Sequence, residues 1–250
     1  MRNPDRIPLN VEAYQKVEAA ILPTRQSACV YYILEIQSES LVRYLREHRL
    51  RFFSYVLYVC KETVLRFPFL NDFMLGGKKF RHTTMSVSTV MKKDVSKEGS
   101  ISLVKIELEE KQTASEIQEK MDHRISTVRG EKEKGFKKLI QTLDRFPMPL
   151  FRIGLSLASF VDRLGLLPAS LIHADPLHTS LVIANLGSVD GDAVFHHLYE
   201  WGTSSLFITL GRLDEQGKVT ITFTIDERIS EGQQLFKALA FFKDCLENPR

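Results

Sequence analysis

Apolar and polar positions alternate along the chain with periods that divide it into helical and extended stretches. Pro8 and Asn10 precede VEAYQKVEAAIL, whose spacing predicts a short helix stopped by Pro23. SACVYYILEIQ is rich in β-branched and aromatic residues and predicts a strand. Ser38 is placed to cap the helix SLVRYLREH, and RFFSYVLYVCKETVLRF predicts a second, mostly apolar helix that ends at Pro68. Gly76 to Lys79 reads as a turn between extended segments, and TTMSVSTVMKK as a strand. ISLVKIEL alternates polar and apolar residues, as a half-buried strand should.

Thr113 and Glu116 have the spacing of a capping box and open a highly charged helix running to about Lys134. Further helical stretches follow at Lys137 to Leu143 and Leu150 to Leu164. From Thr179 the period returns to two, in SLVIANLG, SSLFITLG and KVTITFTI. In the last, Val219, Ile221, Phe223 and Ile225 share one face and Thr220, Thr222 and Thr224 the other, because successive strand side chains point to opposite sides. Ser230 and Gln233 then suggest a capped helix with an apolar stripe of Leu235, Phe236, Leu239, Phe242 and Leu246. With no internal repeat, low-complexity linker or break in composition, the pattern predicts one α/β domain over residues 1–250. Helices pack on a mixed, largely antiparallel sheet.

Composition narrows the functional classes. The chain has 250 residues, 44% hydrophobic and 26% charged, enough to bury roughly 70–75% of its unfolded surface without a disulfide or structural metal. A net charge of +3 is too small to announce a nucleic-acid partner, and is compatible with an anionic small molecule. Cys29, Cys60 and Cys245 are odd in number and in no CxxC spacing, so reduced thiols in a cytoplasmic compartment are expected, and no metal site can be read from them. The start, MRNPDRIPLN, has no apolar run behind its charges, so no signal peptide is expected. The least polar stretch, Ile153 to Val161, is too short for a membrane span, which needs about 20 residues.

The chemically dense place is Asp226-Glu227-Arg228-Ile229-Ser230-Glu231-Gly232, between the last strand and the last helix. On physics alone it reads as a solvated connection whose acids favour the helix N-terminus. Its wording, however, resembles the catalytic domain of the dihydrolipoamide acyltransferases of 2-oxoacid dehydrogenase complexes, which share a fold with chloramphenicol acetyltransferase. That family's signature is a strand followed by Asp-His-Arg-x-x-Asp-Gly, a helix and an ending like LxxYLENP. Here DERISEG stands in register and the chain closes with FKDCLENP. LVIANLGSV followed by SSLFITLGRL is similar to the family's strand ending in Ser-Asn-Leu-Gly and the Gly-Arg-Ile turn after it, and RFPFLND to its Tyr-Pro-x-Leu-Asn segment. The resemblance covers nearly the whole chain, and a stand-alone domain without a lipoyl or peripheral-subunit-binding domain before it is expected.

By this resemblance the fold is a two-layer α/β sandwich of the chloramphenicol acetyltransferase type, assembled as a homotrimer. CoA or another pantetheine thioester is then the expected small-molecule partner, in a channel between subunits, with no covalently held cofactor. The family's signature histidine is the base that takes the proton from the thiol, and Glu227 stands in its place. The structural, salt-bridging aspartate becomes Glu231, and the Ser or Thr that helps to stabilise the oxyanion becomes Ala184. Asp226, Arg228, Gly232, Asn185 and Gly187 are retained. Across the subunit boundary Glu227 is expected to face Ala184 and Asn185 of the partner subunit.

A positioned base is worth about 10²- to 10⁴-fold in rate and one oxyanion donor about 10²- to 10³-fold. Transfer is therefore expected to be weakened or lost. Two alternatives stay open. Glu227 serves as base if burial raises its pKa towards a thiol's, provided that Arg228 does not pair with it. Otherwise the trimer is a non-catalytic scaffold presenting a surface such as Phe146 to Ile172.

Other histidines carry less. Asp122-His123-Arg124 repeats three letters of the signature but lies inside the charged helix, where a solvated face explains it. His196-His197 is similar to the His-His of chloramphenicol acetyltransferase, but Trp201 and Gly202 stand where Asp-Gly should, so a loop pair is expected. His173 and His178 lack metal-ligand spacing and are expected to be neutral surface residues. Lys78, Lys79, Arg81, Lys92, Lys93, Lys137 and Lys138 are expected mostly to be a solvated surface, without a glycine-rich loop to fix phosphates.

Overall fold

A computed structural model describes residues 5–92, 101–130 and 147–250. The central sheet has six strands in the order β2 (Cys29–Gln37), β9 (Lys218–Asp226), β8 (Leu206–Leu210), β7 (Leu181–Asn185), β5 (Met85–Lys92) and β6 (Ile101–Leu108). β7 runs parallel to both β5 and β8, and the remaining pairs are antiparallel, so the sheet is mixed as expected. A small sheet joins β1 (Arg6–Pro8), β4 (Lys78–His82) and β3 (Asp72–Leu75). Its hairpin turns on Gly76 and Gly77 at φ 58° and 73°, left-handed values that glycine reaches without steric cost. Lys78 and Lys79 already belong to β4, which shortens the predicted turn to two residues.

One face of the large sheet carries α2 (Glu39–Glu47), α3 (Phe52–Arg66), α4 (Ala114–Gly130) and, last in the chain, α7 (Gly232–Glu247), while α1 (Ala13–Ile21) packs against the turn after β9. The alternation in β9 sends Val219, Ile221, Phe223 and Ile225 into that core with Leu57, Val64, Leu239 and Phe242. Tyr55 of α3 donates to the carbonyl of Cys245 (3.0 Å), and Lys61 donates to the carbonyls of Glu110 and Gln112 (2.8 and 2.7 Å). On the opposite face a smaller cluster of Val182, Leu198 and Phe207 is covered by the loop before β8. Two further helices, α5 (Met148–Arg163) and α6 (Ala169–Ala174), lead into β7.

The predicted caps divide. Ser38 accepts from the Leu41 amide (3.2 Å), and Thr113 and Glu116 form their box, with the Thr113 amide donating to Glu116 (2.7 Å) and the Glu116 amide to Thr113 (3.3 Å). Ser230 does not cap α7. It stays extended, its amide is taken by the carbonyl of Glu227 (3.2 Å), and Glu231 becomes the capping residue by backbone geometry alone. The stripe of α7 keeps Leu235, Leu239, Phe242 and Leu246 buried, but Phe236 is 59% exposed and Ala238 and Cys245 are buried in addition. The predicted helix at Lys137 to Leu143 and the end of the charged helix near Lys134 lie outside the described residues, as do Lys93, Lys137 and Lys138. All three cysteines are free.

Candidate active site

β9 ends at Asp226, and a single 3-10 turn, Glu227–Ile229, leads to α7. Asp226 is 0% exposed, and its carboxylate accepts three hydrogen bonds from Arg228: from the amide (3.2 Å), Nε (2.8 Å) and Nη2 (2.6 Å). Such a fork is the strong form of the charge-assisted bond. Nη1 of Arg228 reaches past it to the carbonyl of Leu22, just beyond α1 (2.7 Å). The Asp226 amide donates to Ser205 (3.0 Å) and the Glu227 amide to Ala28 (2.9 Å), so the turn is held to the starts of β8 and β2. Burial alone would lower the Arg228 pKa, but Asp226 outweighs it and holds it above its ordinary value.

A second anchor comes from the small sheet. Lys79 donates to the carbonyl of Ile229 (2.5 Å) and pairs with Asp72 (3.3 Å), which Arg81 also holds through Nε (2.5 Å). Lys79 and Arg81 are thus structural ion partners rather than a solvated surface. Their hub, Asp72, closes the RFPFLND segment.

Glu227 is half-buried and makes no ion pair among the described residues. Its surroundings are acidic. Burial, followed by the charges of Glu227 and Asp226, pushes the Glu18 carboxyl up, with Arg228 opposing. Tyr14 is raised first by Glu18, then by burial, Glu231, Glu12 and Glu227. Glu231 is exposed at the start of α7; its side chain caps nothing and pairs with no cation among the described residues.

Asn185 and Ala184 end β7. At Gly187 a Cβ would stand 2.6 Å from the Gly211 carbonyl oxygen and 2.8 Å from Cα of Arg212, so the close approach of these backbones excludes any side chain. Ala184 is level with Thr209 on β8, and Thr209 with Thr222 on β9. Those two hydroxyls lie 2.7 Å apart, and both donate to the carbonyl of Val194 (2.7 and 2.8 Å). They are committed to the loop. Glu227 follows Thr222 by five residues, roughly 16 Å along the strand direction, and β7 is two strand spacings away. The single chain therefore does not bring Glu227 together with Ala184 and Asn185.

The remaining histidines sort clearly. Asp122, His123 and Arg124 lie on an exposed face of α4, where Asp122 pairs with Arg51 (2.5 Å). His196 stacks on Phe207 (centroids 4.0 Å, 10°) and on His197 (4.5 Å) in the loop that covers the sheet, and His173 is exposed. His178 overturns its sequence reading. It is 3% exposed, with Nε2 3.1 Å from Asp162 and Nδ1 3.0 Å from Asp175. Burial would lower its pKa, but the two carboxylates outweigh burial and raise it above its ordinary value. Asp162 also accepts from Arg6 (3.0 Å), and Asp175 from Trp201 (2.5 Å). Sequence offered no signal for the assembled cluster: Asp175 is three positions from His178, but Asp162 is 16 away and its other partner, Arg6, lies 156 positions from it. Among the described residues, no group of side chains is arranged to hold a metal ion.

No family model matches the chain, and no curated protein matches it. Solved structures do. A probable dihydrolipoamide acetyltransferase from Listeria monocytogenes superposes with a TM-score of 0.60 at 14% identity, over 96% of this chain and 94% of that one. A truncated catalytic core of the 2-oxoacid dehydrogenase multienzyme complex from Thermoplasma acidophilum gives 0.57 at 9%, over 97% and 98%. A chloramphenicol acetyltransferase gives 0.56 at 12%, over 96% and 99%. The chain thus has the fold of these acyltransferase cores along almost its whole length. No described helix is long and apolar enough to cross a membrane.

Proposed function

We propose that this protein is a CoA-dependent acyltransferase-type protein that binds CoA or a pantetheine thioester in a channel between subunits of a homotrimer, with transfer weakened or lost. One observation carries the reading: the turn that bears the family's base is fully clamped by Asp226 and Arg228, yet presents Glu227 among acids instead of an imidazole. Such a scaffold without its proton acceptor suits binding more than turnover. The separation of Glu227 from Ala184 and Asn185 within one chain is what an inter-subunit site requires, and Ala184 supplies no oxyanion donor. The chain is read as one such domain, acting in the cytoplasm.

Calorimetry with CoA and acetyl-CoA, beside sedimentation analysis, tests the proposal. Trimers that bind CoA but acetylate a dithiol slowly are expected, and Glu227→His should raise the rate by about 10². Absence of binding to any CoA ester eliminates the ligand.

One observation favours a second reading, in which Glu227 is itself the base. Arg228 is committed to Asp226 and leaves Glu227 without a cation partner. Acetyl transfer by the unmodified chain that disappears in Glu227→Gln would select this reading; turnover unchanged in that variant would remove Glu227 from the mechanism.

A further inference from the structure

A small cleft of about 70 Å³ opens between the Gly76-Gly77 turn, the end of α5 and the loop at Glu200 to Gly202, with Arg228 in its wall. It is lined by three guanidinium groups, Arg25, Arg163 and Arg228, against two carboxylates, Asp162 and Glu200. Their partners leave that excess of one positive charge unchanged. Arg228 is answered by Asp226, but Asp162 is itself answered by Arg6 and His178. The Glu200 carboxylate is occupied by the amides of Arg25 (3.3 Å) and Gln26 (3.1 Å).

Arg25 is the unusual member. It is 4% exposed, and its Nη atoms donate only to carbonyl oxygens: those of Tyr199 and Glu200 from Nη1, and those of Met74 and Gly202 from Nη2. Among the described residues no carboxylate touches the guanidinium and its Nε has no partner, so one N–H is left to be met. Burial pushes the Arg25 pKa down, and the charges of Asp226, Glu200 and Asp162, lying further off, oppose that. Arg163 supplies a second guanidinium. It is exposed and forms no ion pair among the described residues, and its stem packs against the glycine turn, Cγ lying 3.3 Å from where a Cβ on Gly76 would be.

We propose that this cleft is an oxyanion subsite that takes a phosphate group between Arg25 and Arg163, against the Gly76-Gly77 turn. The guanidinium fork of Arg163 suits phosphate oxygens, and the Nε–H of Arg25 is the one donor of that side chain left for them. The phosphate has two sources of the same chemistry, a soluble phosphorylated compound or a lipid headgroup. The second is raised by Leu157, Phe160 and Leu164, exposed on and just after the same stretch of α5 that brings Ser159 and Arg163 to the cleft. The inference does not rest on acyl transfer, since Glu227 is not in the lining and the probe carries no thioester.

The test is titration of the full chain with inorganic phosphate against chloride at equal ionic strength, followed by calorimetry. Single-site binding with a Kd on the order of millimolar is expected, weakened about tenfold or more in Arg163→Gln, whose melting in chloride should be unchanged. Arg163→Glu should abolish it. No binding beyond chloride, or equal binding by Arg163→Gln, overturns the subsite. Sedimentation with phosphatidylcholine vesicles, with and without phosphatidic acid, separates the sources. Association with the anionic vesicles that free phosphate competes and Arg163→Gln removes assigns a lipid headgroup. Phosphate binding without vesicle association assigns a soluble ligand. Vesicle association that Arg163→Gln leaves intact, in a chain that binds no phosphate, overturns the proposal.

Discussion

The turn after β9 and the cluster around His178 both bury charges, and they do so on opposite plans. In the turn, Arg228 and Asp226 satisfy one another two residues apart and leave Glu227 without a cation. Around His178, both ring nitrogens are engaged by carboxylates from different parts of the chain, and those carboxylates are held in turn by Arg6 and Trp201. A general base needs a free lone pair near its substrate. His178 has none to spare, so an imidazole between two acids here fastens α5 and the loop after α6 to β1. The difference teaches that the residue type most suggestive of catalysis can be a rivet, while the turn proposed for chemistry leaves a carboxylate free.

Breaking the better-satisfied pair should have the largest effect. Arg228→Ala strands Asp226 in the interior and is expected to cost about 3–5 kcal/mol in denaturant melts. Replacing Asp226 as well, by Ala, should recover part of that loss. A cost under about 1 kcal/mol would mean that the turn is not held by this pair.

His178→Leu leaves Asp162 with Arg6 and Asp175 with Trp201, so a smaller loss of about 2–3 kcal/mol is expected from the same melts. The two plans should also differ in pH response. The folded pKa of His178 is raised, so its contribution is fully present below the ordinary histidine value of about 6.5 and is lost as pH rises through the raised value. The slope cannot exceed about 1.4 kcal/mol per pH unit and should vanish in His178→Leu. Asp162 and Asp175 act at the other end: burial pushes them up, but His178 outweighs it and lowers both. Their share is present above the ordinary carboxylate range and is lost as pH falls through the lowered values. A pH dependence unchanged in His178→Leu would contradict this assignment.

The smallest change is expected in the isolated chain at Glu231→Gln, within about 0.5 kcal/mol, because that side chain makes no bond. A loss well above this, measured on the assembled protein, would reveal a partner for Glu231 on another subunit and sharpen the contrast between the clamped and the open side of the turn.

The strands and most caps were legible because their causes are local. Ser38 and Leu41, and Thr113 and Glu116, are three positions apart, and a hydroxyl or carboxylate at that spacing needs no distant partner. The candidate turn was legible only as a string of residues. Its letters could not say whether Arg228 serves Asp226 or Glu227, since both lie within reach of one guanidinium. The failed cap at Ser230 has the same origin: the carbonyl of Glu227 claims its amide once the 3-10 turn forms.

By itself, the sequence determined which side of each strand is apolar and where most helices begin. Tertiary structure alone decided which charges answer one another: Arg6 meets Asp162 across 156 positions, and Arg25 is ringed by carbonyls from two separate segments, Met74 and the loop Tyr199 to Gly202. The reason is physical. A period of two or 3.6 residues records how a segment faces a core, whereas the partner of a buried charge is set by which distant backbones the fold brings within 3 Å.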